Sequence, residues 1–251
     1  AIGDSLQKMP QLQDIAISFY RTQIGDVGAA RIGNSIQDMD QLRRLVLDFR
    51  STSVGDAGAA AMGASLHRLV QLQQLDLNFS YTKVGDACAI AISNSLRTLQ
   101  QLQAMEIDFG DTRICDDAAV ALGNSLQALT KVEHVAVSFR RTGVTDAGAV
   151  AMGNSFPSLE QLHRIDLNFY RTGVGDAGAS AIGIGLKNLQ QLHEIQMDFA
   201  NTQVGDDGAL AIGTGLENLT QLQDVQIAFD RWKVGDLVKV FVHEKLSKPG
   251  V

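Results

Sequence analysis

The chain repeats itself every 30 residues without insertion, its units beginning at Gln11, Gln41, Gln71, Gln101, Lys131, Gln161, Gln191 and Gln221. A fixed period of this length belongs to stacked arrays, in which a unit too small to bury its own apolar face buries it against the next copy. All 251 residues are therefore expected to form one domain: 1–10 as the last third of a repeat, 11–220 as seven regular repeats, 221–251 as an eighth repeat and C-terminal cap. The eighth copy has Trp232 in place of threonine and LVKVFVHEKLSKPGV in place of the usual small residues, as expected of a terminal unit with no outer neighbour. No such segment stands at the other end, where upstream repeats or another chain are expected to cover the first unit and offer a route to assembly.

Aligned in columns, the copies read QLxxIxLxFxxTxVGDAGAxAIGxSLxxLx. Apolar residues at places two, five, seven and nine (Leu162, Ile165, Leu167 and Phe169 in the sixth copy) end in the alternation of a strand with one buried face. Place nine is Phe in every copy, from Phe19 to Phe229, which predicts a continuous internal column of rings. Asp is invariant at place sixteen, from Asp26 to Asp236, just ahead of apolar residues three and four apart. This predicts a short helix with the Asp as its N-cap. Ala179, Ile182 and Leu186 mark the buried stripe, while Gly178 and Gly183 let neighbouring helices approach closely.

Eight strand–helix units also suit a TIM barrel or a doubly wound sheet, but those bury both strand faces and read as continuous apolar runs. Here places four, six and eight carry Asp76, Asn78, Glu106, Asp108, Arg164, Asp166 and Asn168. One face is wet, and an open solenoid follows.

LxxLxLxF followed by VGDAGAxAIGxSL resembles the ribonuclease-inhibitor-like class of leucine-rich repeats, over essentially the whole chain. The resemblance implies an α/β horseshoe with a parallel sheet on the concave face, short helices on the convex face, and protein binding without catalysis. Family members that activate small GTPases add a regulator reading, and a structural subunit of a larger assembly is a third. The chain departs from the class in having Phe where an Asn usually follows the strand, a connection two residues longer, and Thr at place twelve. Thr22, Thr52, Thr82, Thr112, Thr142, Thr172 and Thr202 are expected to satisfy loop backbone in place of the Asn.

Gly173, Gly175 and Gly178 spell G-x-G-x-x-G between strand and helix, the fingerprint of a dinucleotide-binding turn. The columns dissolve it. Gly173 shares its place with Gln23, Ser53, Lys83 and Arg113, and the full match arises in one unit of eight.

No nucleophile, base and orienting group converge in the pattern, and no cofactor is expected. Glu133, His163 and His193 at place three form a candidate metal row, outweighed by a plain polar row because Gln13, Gln73 and Gln103 share the place. Cys88 and Cys115 are too few for a disulfide framework and read as small core residues. A formal charge of -7 and a pI near 5.1 argue against nucleic acid. No apolar run approaches the roughly 20 residues of a spanning helix. The compartment stays open, with the cytoplasm favoured.

Two features point to a protein partner. Places four, six and eight hold nine acids (Asp14, Asp48, Asp76, Glu106, Asp108, Asp166, Glu194, Asp198, Asp224) against Arg44 and Arg164, a bias suited to a basic surface. Just past each strand, places ten and eleven collect Tyr20, Tyr81 and Tyr170, all the tyrosines of the chain, with Arg21, Arg50, Arg140, Arg141, Arg171 and Arg231. Tyr and Arg dominate binding hot spots.

Overall fold

Strand and helix alternate along the chain in the computed structural model, which describes residues 2–230. The order is α1 (Ile2–Leu6), β1 (Asp14–Ser18), α2 (Asp26–Ile36), β2 (Arg44–Asp48), α3 (Asp56–Ser65), β3 (Gln74–Asn78), α4 (Asp86–Leu96), β4 (Ala104–Asp108), α5 (Asp116–Leu126), β5 (His134–Ser138), α6 (Asp146–Ser155), β6 (Arg164–Asn168), α7 (Asp176–Leu186), β7 (Glu194–Asp198), α8 (Asp206–Leu216) and β8 (Asp224–Ala228). The strands form one parallel sheet whose order follows the chain from β1 to β8. The sheet does not close into a barrel, and its order never reverses as a doubly wound sheet requires.

Each strand pairs with the next place for place: Asp14 lies opposite Arg44, Arg44 opposite Gln74, and so on to Glu194 opposite Asp224. A slip of one residue would turn the buried Leu45 and Leu47 to the wet face, so the period of 30 is enforced by burial. Helices are about twice as wide as the spacing between strands, so packing them behind the sheet curves it with the strands inside. The architecture is that of a leucine-rich-repeat solenoid.

The expected ring column is present. Phe19 to Phe229 stack with centroids 5.3 to 6.3 Å apart and interplanar angles of 9° to 25°. This spacing exceeds the roughly 4.8 Å between strands because the rings lie behind the sheet, where the curve fans them out. Ala179, Ile182 and Leu186 are fully buried as the helix stripe. A Cβ on Gly153 would come 2.5 Å from the Ala181 carbonyl oxygen of the next helix, and one on Gly178 2.7 Å from the Ala149 Cβ of the previous one, so glycine is what lets these helices touch.

Place sixteen corrects the sequence reading. Each Asp is the first residue of its helix, and the residue before it offers no side-chain cap. The carboxylate instead reaches the following repeat. Asp146 Oδ1 accepts from the backbone N–H of Gly175 at 2.7 Å and of Gly178 at 2.9 Å, at the start of α7. Asp56, Asp116 and Asp176 do the same for the helices that follow them. The cap is therefore a bond between repeats, and it fills the anion position of the apparent G-x-G-x-x-G with the protein's own carboxylate.

The threonines act as expected: Thr52, Thr82, Thr142, Thr172 and Thr202 are buried, and each donates to the carbonyl of the Phe three residues before it at 2.6 to 2.7 Å. Cys88 is core, and burial pushes its thiol far above the usual range. Cys115 is exposed beside the Arg113 carbonyl at 3.7 Å and is not a core residue, because its place fifteen lies in the turn before the helix. Arg231, Trp232, Asp236 and most of the expected C-terminal cap lie outside the described residues.

Candidate protein-binding surface

The strand of each repeat leaves the sheet through a β-turn at places nine to twelve. In the first, the Thr22 N–H donates to the Phe19 carbonyl at 2.9 Å, closing the turn over Tyr20 and Arg21. The third turn residue is left-handed in every described copy: Arg21, Ser51, Tyr81, Asp111, Arg141, Arg171 and Asn201 have φ between 55° and 58°. This bend aims each place-eleven N–H at the next repeat's place-ten carbonyl, as from Tyr81 to Gly110 at 2.9 Å and from Arg141 to Tyr170 at 2.8 Å. Such a turn ordinarily selects Gly or Asn. The sequence contains 24 glycines and none at this place.

Place eight supports the same turn, which the sequence reading missed. Asp48, Asn78, Asp108, Asn168 and Asp198 each accept from the N–H two residues on, at 2.8 to 3.0 Å. An acceptor that short and local explains why the column contains only Asp, Asn and Ser up to Asp198. Asp48, Asp108 and Asp198 thus have a structural task on the concave face.

The rim residues gather into two groups. In the first, the Arg50 guanidinium lies 4.3 Å from the Tyr20 ring centre, with Arg21 at 5.1 Å. Arg50 also pairs with Asp48 at 3.6 Å. In the second, Arg140 donates to the Tyr81 hydroxyl at 3.1 Å, lies 5.7 Å from the Tyr170 ring centre and faces Asp111 at 3.7 Å, while Arg141 pairs with Asp111 at 3.0 Å. Asp111 was not singled out in the sequence, although its pairing with two arginines is what organises this group. Tyr81 remains half exposed, at 50%, and Arg171, three repeats further along the row, is exposed as well.

The other concave acids divide. Asp14 pairs with Arg44 at 3.0 Å, Glu194 with Arg164 at 3.3 Å, and Asp224 accepts from Gln226. Asp76, Glu106 and Asp166 remain at place six, half-buried. Burial, reinforced by Glu106 and Asp48, pushes the Asp76 carboxyl above its ordinary value. Burial does the same to Asp166, against the pull of Arg164 and His134. Burial also lowers the His134 imidazole below its ordinary value, despite Glu106 at 3.6 Å.

His163 and His193 do lie in line, their rings 5.4 Å apart and tilted. Among the described residues, no three His, Cys, Asp or Glu side chains are grouped to hold a metal ion. No described helix is long and apolar enough to cross a membrane.

No protein-family model matches the chain, and no curated protein matches it. Among solved structures, internalin C2 from Listeria monocytogenes str. 4b F2365 is similar at 15% identity and a TM-score of 0.46, over 89% of this chain and 83% of that one.

Proposed function

We propose that this chain is a non-enzymatic scaffold of ribonuclease-inhibitor-like repeats that binds another protein through its concave sheet and the Tyr/Arg rim beside it. Helices of 10 or 11 residues in α2 to α8 support that class of repeat. The observation that carries the binding reading is the left-handed row. A non-glycine residue there costs about 1 kcal/mol, yet Arg21, Tyr81, Arg141 and Arg171 occupy it. Folding alone would favour glycine, so long side chains retained against that preference are kept for what they touch. Their types are those that anchor interfaces, and the excess of acid beside them suits a partner with a basic surface.

The test replaces Tyr81, Arg141 and Arg171 with glycine, which the backbone already accommodates. The expected variant is at least as heat-stable as the wild type but loses the proteins that wild type captures from a native extract. An unchanged captured set with the variant folded would overturn the rim reading.

A further inference from the structure

Resting on that reading, we propose that the shallow bowl centred on Ala136 receives one arginine or lysine side chain of the partner. β5 is the low strand in the interior of the concave face: its wet positions six and eight are Ala136 and Ser138, a pair otherwise found only as Ala16 and Ser18 on the edge strand β1, and the adjoining turn of the fourth repeat contributes Gly110, the one glycine at place ten among the described residues. The result is a concavity of about 510 Å³ in the middle of the sheet.

The register builds its walls. Glu106 on β4 lies opposite Ala136, and Ala136 lies opposite Asp166 on β6. The two carboxylate-bearing residues therefore stand two strand spacings apart, about 10 Å between backbones, with only a methyl group between them. A guanidinium or ammonium lowered over Ala136 meets a carboxylate on each side. Tyr81 on the lip, held by its bond from Arg140 and half exposed, offers a ring face for the aliphatic stem or the cation itself.

Charge selects the occupant. Five acids and two arginines line the bowl. Both arginines already face acids, Arg50 at Asp48 and Arg140 at Asp111, while the nearby Arg164 is turned to Glu194. Among the described residues no Lys or Arg forms an ion pair with Asp76, Glu106 or Asp166. A cation entering here relieves repulsion already present between half-buried carboxylates, which an anionic or neutral side chain could not do.

The probe is Nα-acetyl-arginine amide, which carries one guanidinium and no other charge, with Nα-acetyl-citrulline amide as the uncharged isostere. Titrated into the ¹⁵N-labelled full chain, the arginine compound is expected to shift the Gly110, Ala136 and Ser138 amides saturably, and the citrulline compound is not. Glu106→Gln with Asp166→Asn should weaken the apparent affinity about tenfold. Ala136→Arg should abolish it by supplying the guanidinium from within the chain. Absence of shifts, equal shifts with citrulline, or shifts spread over all acidic strands and indifferent to the double variant would each overturn the proposal. Saturable shifts with a captured set insensitive to the rim glycines would leave the bowl standing and sink the rim. No shifts with capture lost in those glycine variants would do the reverse.

Discussion

Asp146 does its work in the next repeat. Replacing it with Ala should cost about 1–2 kcal/mol in urea unfolding, and hydrogen exchange should quicken at Gly175 and Gly178, the amides it accepts from. Faster exchange confined to the start of its own helix would contradict the bond between repeats. Asp166 has the opposite energetic sense. Its folded carboxyl is raised above the ordinary value, so the folded state holds the proton more readily than the unfolded one. Its contribution is therefore most favourable below the ordinary range and is lost as pH rises through the folded value. Asp166→Asn should raise Tm at pH 7, with the gain vanishing at about pH 3. An invariant Asp before a helix was legible as a cap, but not which helix it caps, because the columns record place and not partner. Place eight was hidden for a related reason: a turn acceptor and a charged interface residue can be the same amino acid.

At the scale of elements, α6 and α7 meet through Gly153. Gly153→Ala should lower stability by about 1–3 kcal/mol, since the new methyl would press on the Ala181 carbonyl rather than on a yielding side chain. Denaturant midpoints check it, with Ala151→Gly as a control for helix propensity. Strands and helices were readable because burial imposes periods of 2 and 3.6 on Ile165, Leu167, Ala179 and Ile182. The left-handed turn was not readable, since Arg21, Tyr81 and Arg171 are not residues that advertise it. The Tyr/Arg row was visible as composition, but its division around Asp111 and Arg140 depends on contacts that run across repeats.

For the whole molecule, stability is close to a sum of repeat and nearest-neighbour terms. Phe139→Ala opens a gap in the middle of the ring column and should cost about 3–5 kcal/mol, splitting unfolding into two stages seen by circular dichroism in urea. The same change at Phe19, which has a ring neighbour on one side only among the described residues, should cost less and leave a single transition. The carboxylate of place sixteen has a further meaning at this scale. From Asp26 to Asp176 each carboxylate fits the amide 29 residues ahead, and Asp56, Asp116, Asp146 and Asp176 also fit the one 32 ahead, in whichever copy comes next. Excising residues 71–100 would hand Asp56 the start of α5 in place of the start of α4, with every joint remade. Cutting one residue more or fewer would misalign all of them at the seam, so the molecule's length is quantised, and evolution can add or remove whole units while point insertions are refused.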